Sequence, residues 1–286
     1  KNQFIYGGQA FFDNMENFFS KNGFEVLDQD SFEKNEIHFS NAWGVCDEDL
    51  FDFALKKADQ AQGPFFQFIL TTSNHRPYTY PEGKIDIPSH TGRDGAVKYA
   101  DFAIGEFIKQ AQTKPWFKNT IFIFVADHNA SVAGGVEIHP YDYRIPMIFY
   151  SPDNLEAKNV SVLGSQIDLA PTLFGLLNFS YQSRFFGHDL NRSLTERAFL
   201  ATYQKVGMWK NNEMILLSPN RQVEVFSMNG ETPALLKRFH AQQGERLDDS
   251  SIEETVAYYE AASDWFGDQL LKEKKKFDLS INRREF

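Results

Sequence analysis

The pattern of apolar and polar positions predicts two short strands, each followed by residues that can take part in chemistry. The first strand covers 65–71 and leads into a polar loop that contains His75, while the second covers 120–126 and ends at Asp127 and His128. The second run is uniformly apolar and rich in β-branched and aromatic residues, which is typical of a strand buried on both faces of a parallel sheet. Ligands bind such sheets beyond the carboxyl ends of the strands, so we expect a functional site there.

Helical spacing of apolar residues predicts helices around these strands. The predicted helices cover 9–22, 47–62, 93–112 and 166–177, and a further strand is expected at 145–150. The order of strand, helix and strand over 65–126 is typical of a βαβ crossover.

The pattern changes after residue 195, where short strand-like segments alternate with tight turns. These segments cover 199–206, 208–209, 213–217 and 222–227, and a long helix follows over 251–277. We therefore predict an α/β fold with a mixed, mainly parallel sheet sandwiched by helices over residues 1–195. A smaller C-terminal α+β part, residues 196–286, is expected to carry an antiparallel meander and the final helix.

Charge and cysteine content exclude several classes of protein. A formal net charge of -10 and a pI near 5.2 argue against a nucleic-acid partner, because no basic stripe is available to neutralise phosphates. An anionic substrate would need local positive charge, which a bound divalent cation supplies. Cys46 is the single cysteine, so an intramolecular disulfide and a multi-cysteine zinc site are both excluded.

Asp127, His128, His75 and His139 are the candidate site residues. Carboxylate and imidazole groups are both metal ligands, and the loop that leads to His139, eleven residues after His128, is long enough to fold back over the same sheet edge. The alternative is structural: a capping aspartate and hydrogen-bonded surface histidines.

Four sequence blocks, in this order and at these distances, resemble one family. The blocks are TTSNHRPY at 71–78, FVADH at 124–128, YRIPMI at 143–148 and QIDLAPTL at 166–173. They are similar to the catalytic domain of lipoteichoic acid synthase-type phosphoglycerol transferases, which are sulfatase-like proteins of the alkaline phosphatase superfamily. The resemblance covers residues 1–195 and is nearest to Gram-negative members.

The resemblance implies roles for the candidate residues. Asp127 and His128 match metal ligands for manganese, magnesium or zinc, and His75 matches a histidine that contacts the substrate phosphate or the leaving group. His139 resembles a second substrate-side histidine of the related phosphoethanolamine transferases. A divalent ion can polarise the phosphoryl oxygen, and an imidazole can protonate the departing alkoxide.

The implied activity is the metal-dependent transfer or hydrolysis of a phosphoryl head group through a covalent intermediate. The implied substrate is a phospholipid or a glycan-linked phosphodiester. The resemblance also implies a protein of the inner membrane with its catalytic domain in the periplasm, and a membrane anchor upstream of residue 1.

Departures from the family leave two alternatives open. The family's threonine nucleophile and its acidic metal ligand lie upstream of the block that residues 1–14 resemble, so we expect this chain alone to lack the first strand and to be inactive. Asn14 stands where phosphoglycerol transferases carry an arginine, and Cys46 lacks the proline and arginine that follow a sulfatase's modified cysteine. The alternatives are therefore a sulfatase or phosphoethanolamine transferase, and a non-catalytic sulfatase-like binding domain.

Overall fold

The computed structural model describes residues 1–130, 138–230, 232–242 and 249–281, with side chains to residue 268. The chain forms two compact units, Lys1–Thr120 and Ile121–Phe286. This division falls after the first residue of the second predicted strand, 120–126. The change of pattern at residue 195 lies inside the second unit, and a domain boundary there stays a prediction.

The first unit is built around a parallel sheet. Its strands and α-helices are β1 Asn2–Tyr6, α1 Met15–Lys21, β2 Glu25–Leu27, β3 Ser40–Asn41, β4 Gly44–Val45, α2 Asp47–Asp59, β5 Phe66–Leu70 and α3 Arg93–Ala111. β1, β2 and β5 pair in parallel in the order β2-β1-β5, and β3 and β4 form a short antiparallel pair.

β1 is the central strand of this sheet and is buried on both faces. Successive side chains of a strand point to opposite faces. Ile5 packs with Leu50 and Phe53 of α2, whereas Phe4 stacks on Phe19 of α1 with ring centroids 3.8 Å apart. Burying each of these side chains stabilises the fold by about 1.5–3 kcal/mol. The predicted parallel sheet between helices is thereby confirmed.

The second unit contains a strand pair, a helix and an antiparallel meander. Its elements are β6 Phe122–Val125, β7 Met147–Tyr150, α4 Leu169–Leu176, β8 Arg197–Ala201, β9 Val206–Lys210, β10 Glu213–Ser218, β11 Gln222–Ser227, β12 Ala234–His240 and α5 Ser250–Ile281. β8 to β12 pair antiparallel in chain order, which confirms the predicted meander and final helix.

Both faces of the meander are covered. Ile215 of β10 packs with Ile252 of α5 on one face, while its neighbours Met214 and Leu216 pack with Ile138 on the other. Among the described residues of the whole chain, no helix combines the length and apolar character that crossing a bilayer requires.

β6 differs from the prediction in the direction of its pairing. Its apolar sequence and the expected βαβ crossover predict a parallel strand, but β6 pairs antiparallel with β7, with Val125 opposite Met147. Val125 is also exposed, so burial of the strand on both faces is not observed. The reason is physical: a short apolar run indicates contact with a core and does not encode the direction of the partner strand.

Candidate active site

Three segments of the first unit meet beyond the carboxyl ends of β1 and β5. Val45 donates a backbone hydrogen bond to the carbonyl oxygen of Gly7 after β1, at 2.9 Å, and the Thr72 hydroxyl after β5 donates to the carbonyl of Val45 at 2.7 Å. Gly44 has a φ of +135°, and a Cβ there would lie 2.1 Å from the Gly7 oxygen. Glycine is therefore required where these backbones meet.

A buried carboxylate fixes the loop that carries His75. Oδ1 of Asp47 accepts hydrogen bonds from the backbone N–H groups of Thr72 and Ser73 at 3.1 and 2.9 Å, and the backbone N–H of Asp47 donates to the Ser73 hydroxyl. Desolvation raises the pKa of Asp47 above its ordinary value, against the hydrogen bonds from Ser73 and Thr72 that lower it. Asp47 therefore anchors the loop just before His75.

Asp47→Ala is expected to destabilise the protein, because two buried N–H groups lose their acceptor. At roughly 1–3 kcal/mol for each unsatisfied buried donor, the free energy of unfolding should fall by about 2–5 kcal/mol. Asp47→Asn keeps a carbonyl oxygen and should lose less. Urea denaturation of both variants measures this, with Asp52→Ala, an exposed position of the same helix, as the control. A loss in Asp47→Ala no larger than in Asp52→Ala would contradict the anchoring role.

The His75 imidazole is held in one orientation. Nδ1 lies 2.9 Å from the carbonyl oxygen of Arg76, and because a carbonyl only accepts, Nδ1 is the protonated nitrogen. The Trp43 ring lies against the imidazole with centroids 3.8 Å apart, and Phe12 meets Trp43 edge-on at 5.7 Å. Nε2 is thus the nitrogen that remains for an external partner on this exposed residue.

Asp127 and His128 lie directly after β6 in the second unit. Oδ1 of Asp127 accepts from the backbone N–H of His128 at 2.8 Å, and Nδ1 of His128 donates to the carbonyl oxygen of Asn129 at 2.9 Å. The Nε2 lone pair of His128 therefore points away from the backbone, and it lies 3.7 Å from Oδ2 of Asp127. Both side chains are more than half exposed.

The pair fits two ligand positions around one divalent cation. Such ions bind oxygen and imidazole nitrogen at about 2.0–2.2 Å, so two atoms separated by less than about 4.4 Å can contact the same ion. The separation of 3.7 Å satisfies this condition. In the part of the chain that the structure describes, no third histidine, cysteine, aspartate or glutamate joins them to form a metal-binding group.

Gln166 supports this loop, a role that the sequence did not reveal. Its side-chain amide donates to the carbonyl oxygens of Ala126 and Asp127 at 2.9 and 2.7 Å. The amide therefore fixes the backbone from which the Asp127 carboxylate projects. Residue spacing carries no signal for this contact, since the partners are about 40 positions apart.

His139 is exposed at the start of a short 3-10 helix, Pro140–Tyr143. This helix is attached to the meander of the same unit, because the Tyr141 hydroxyl donates to the carbonyl of Gly230 and the Tyr143 hydroxyl to that of Ala201. The loop predicted to bring His139 back toward His128 includes 131–137, which lie outside the described residues. That approach stays a prediction.

Cys46 is unsuited to act as a nucleophile. It is buried at the start of α2, and burial raises the pKa of its thiol to about 12. We expect the native protein to react with a thiol reagent at pH 8 roughly a thousandfold more slowly than the unfolded chain, because the thiolate is the reactive form. Spectrophotometric titration with and without denaturant checks this. Rapid labelling of folded protein would contradict the burial.

Comparison with known proteins places most of this chain in one family. The sequence pattern of the Sulfatase family matches residues 1–179. Phosphoglycerol transferase I of Xanthomonas axonopodis pv. citri is 28% identical over 209 residues, which are 66% of this chain and 29% of that protein. A lipoteichoic acid synthase-like protein of Bacillus subtilis is 27% identical over 187 residues, 56% of this chain and 30% of that protein. The chain thus spans less than a third of either relative.

Solved structures show which fold the chain adopts. A protein in the alkaline phosphatase superfamily from Vibrio parahaemolyticus superposes with a TM-score of 0.83 at 32% identity, over 94% of this chain and 65% of that one. The lipoteichoic acid synthase LtaP from Listeria monocytogenes shares the fold, with a TM-score of 0.69 at 20% identity over 89% and 66% of the two chains. The chain described here belongs to the Sulfatase family and has the alkaline phosphatase superfamily fold.

Proposed function

We propose that the protein containing this chain is a metal-dependent phosphotransferase of the phosphoglycerol transferase type. It moves a phosphoryl-linked head group from a lipid-linked phosphodiester to an acceptor or to water, through a covalent intermediate. The Asp127–His128 pair carries the proposal, because its two ligand atoms lie within reach of one cation directly after a strand. The names of the relatives, phosphoglycerol transferase I and lipoteichoic acid synthase, support this reaction class.

In this proposal Asp127 and His128 hold the divalent ion, manganese, magnesium or zinc. When bound, the ion supplies Lewis-acid polarisation of the phosphoryl oxygen and lowers the pKa of a coordinated hydroxyl. The hydrogen bond from Nδ1 of His128 to Asn129 selects the tautomer that leaves Nε2 as a ligand. Gln166 keeps the backbone of Asp127 in place.

His75 acts on the substrate side in this proposal. Its Nδ1 donates to the Arg76 carbonyl, so in the imidazolium form the Nε2–H group contacts a phosphate oxygen or gives its proton to the leaving alkoxide. Trp43 limits rotation of the ring. His139 is proposed as a second substrate-side residue, on the 3-10 helix that Tyr141 and Tyr143 attach to the meander.

The proposed donor is a membrane phospholipid, and the proposed location is the periplasmic face of the inner membrane. The test is an assay of the full-length protein with phosphatidylglycerol and Mn²⁺. We expect release of diacylglycerol that EDTA abolishes and Mn²⁺ restores. Hydrolysis of an aryl sulfate without cleavage of phosphatidylglycerol would favour a sulfatase, and absence of both reactions and of a stoichiometric metal ion would favour a binding domain.

A further inference from the structure

A cationic cluster lies beside His75 on the first unit and is formed by Arg76, Tyr78 and Arg93. Nη2 of Arg93 donates to the Tyr78 hydroxyl at 3.0 Å, and the Arg93 guanidinium lies 5.7 Å from the centre of the Tyr78 ring. Arg76 precedes Tyr78 by two residues in the same loop. Interaction of the phenol with the two guanidinium groups, Arg76 first and then Arg93, lowers the pKa of Tyr78.

The cluster is unusual in its charge. The chain has 39 acidic and 29 basic residues, yet neither Arg76 nor Arg93 has a carboxylate oxygen within 4.0 Å in the part of the chain that the structure describes. Other arginines do: Arg192 pairs with Asp189 and Arg238 with Glu224. Two guanidinium groups beside one phenol repel each other, and an anion bound to both would relieve that repulsion.

Backbone hydrogen bonds fix the conformation of the loop that carries the cluster. Tyr78 donates a backbone hydrogen bond to the carbonyl of His75 at 2.8 Å and accepts one from the N–H of His90 at 3.0 Å. Thr72, which the Asp47 carboxylate holds, accepts at its carbonyl from the N–H of His75. Since these contacts fix the loop in advance, binding an anion requires little further ordering of the chain.

The chemistry of the cluster selects a phosphate group. Guanidinium groups present paired N–H donors that match two oxygens of a phosphate, and the Tyr78 hydroxyl adds a further donor. We propose that Arg76, Tyr78 and Arg93 form a second anion site that binds a phosphate group next to His75 and independently of a metal ion. The link to catalysis rests on the proposed function, in which this site would hold another phosphate of the donor or acceptor.

The experiment titrates the protein with inorganic phosphate in EDTA and follows the arginine Nε–H signals by ¹H–¹⁵N NMR. We expect saturable shifts at Arg76 and Arg93, and binding at least tenfold weaker in the Arg76→Gln/Arg93→Gln variant. Tyr78→Phe keeps the ring and should weaken binding by a smaller factor. The matched control is Arg192→Gln, which removes the same charge from the second unit and should bind phosphate as tightly as the wild type.

Two further arms identify the source of the phosphate. Glycerol 1-phosphate represents a soluble ester, and phosphatidylglycerol vesicles, compared with phosphatidylcholine, represent a lipid head group; binding in either arm supports the site. The proposal is overturned if phosphate causes no saturable shift, if Arg192→Gln weakens binding as much as the double variant, or if only His75→Ala removes it. Because EDTA is present and no turnover is measured, failure of the proposed function would leave this result unaffected.

Discussion

Asp127→Ala is expected to remove both divalent-ion binding and head-group transfer from the full-length protein. Its Oδ2 lies 3.7 Å from Nε2 of His128, so the substitution leaves a single imidazole where two ligand atoms face one ion. Loss of a residue that only supports a metal ligand already costs about 10–100-fold in affinity, and loss of a ligand should cost at least about 100-fold. Turnover should fall by about a thousandfold or more, since the ion contributes several kcal/mol.

Isothermal titration with Mn²⁺ and release of diacylglycerol measure the two effects. Asp153→Ala is the matched control, because Asp153 is an exposed aspartate after β7 in the same unit. Gln166→Leu should be intermediate, with affinity reduced about 10–100-fold, because Gln166 holds the backbone of Asp127 and does not face the ion. An Asp127→Ala protein that retains a stoichiometric ion and full turnover would contradict the metal assignment.

The strand ends could be predicted from the sequence, but not all of the pairing. The strand before His75 pairs in parallel as predicted, whereas the strand before Asp127 is antiparallel. β1 was not predicted because its five residues, which include Gln3, show no regular alternation of apolar and polar positions. The Gln3 side chain is nevertheless buried, and it forms hydrogen bonds with the side chains of Glu25 and Gln67. β12 was not predicted because most of its residues are exposed, as in many edge strands.

The contacts that support the candidate site could not be predicted from the sequence either. Asp47 has the pattern of an ordinary first-turn carboxylate, which is favourable at any helix N-terminus. Its actual partners, Thr72 and Ser73, lie about 25 positions away, and Trp43 contacts His75 from about 30 positions away. Residue types at a strand end indicate chemistry, but the contacts that orient them depend on tertiary packing.

Arg197 and Asp168 form a buried ion pair whose disruption should have the largest effect on stability. Their side chains are 1% and 0% exposed, and Nη1 of Arg197 lies 3.4 Å from Oδ1 of Asp168. The carboxylate also accepts from the backbone N–H groups of Ser165 and His188. The guanidinium donates to the Phe186 carbonyl. Asp168 is therefore the centre of a buried polar network. From the sequence it could be recognised only as part of the QIDLAPTL block at the start of a predicted helix.

Arg197→Met should lower the free energy of unfolding by about 3–5 kcal/mol, because it leaves the Asp168 carboxylate buried without its counter-charge. Asp168→Asn keeps an acceptor for the backbone N–H groups but leaves the buried Arg197 guanidinium without a counter-charge. The double variant should therefore lose less than the sum of the two single losses, by about 1–3 kcal/mol. Denaturant unfolding of the three proteins measures this coupling, with exposed Arg192→Met as the control.

The same variants connect stability with the candidate site. Gln166, two residues before Asp168, holds the carbonyl of Asp127, so loosening of the network should reach the metal-binding loop. We expect faster amide hydrogen exchange at His128 in Arg197→Met than in Arg192→Met, at equal global stability adjusted with denaturant. Additive losses in the double variant would contradict the ion pair. Unchanged exchange at His128 would show that the loop is held independently of the pair, and would restrict Arg197 to a role in stability.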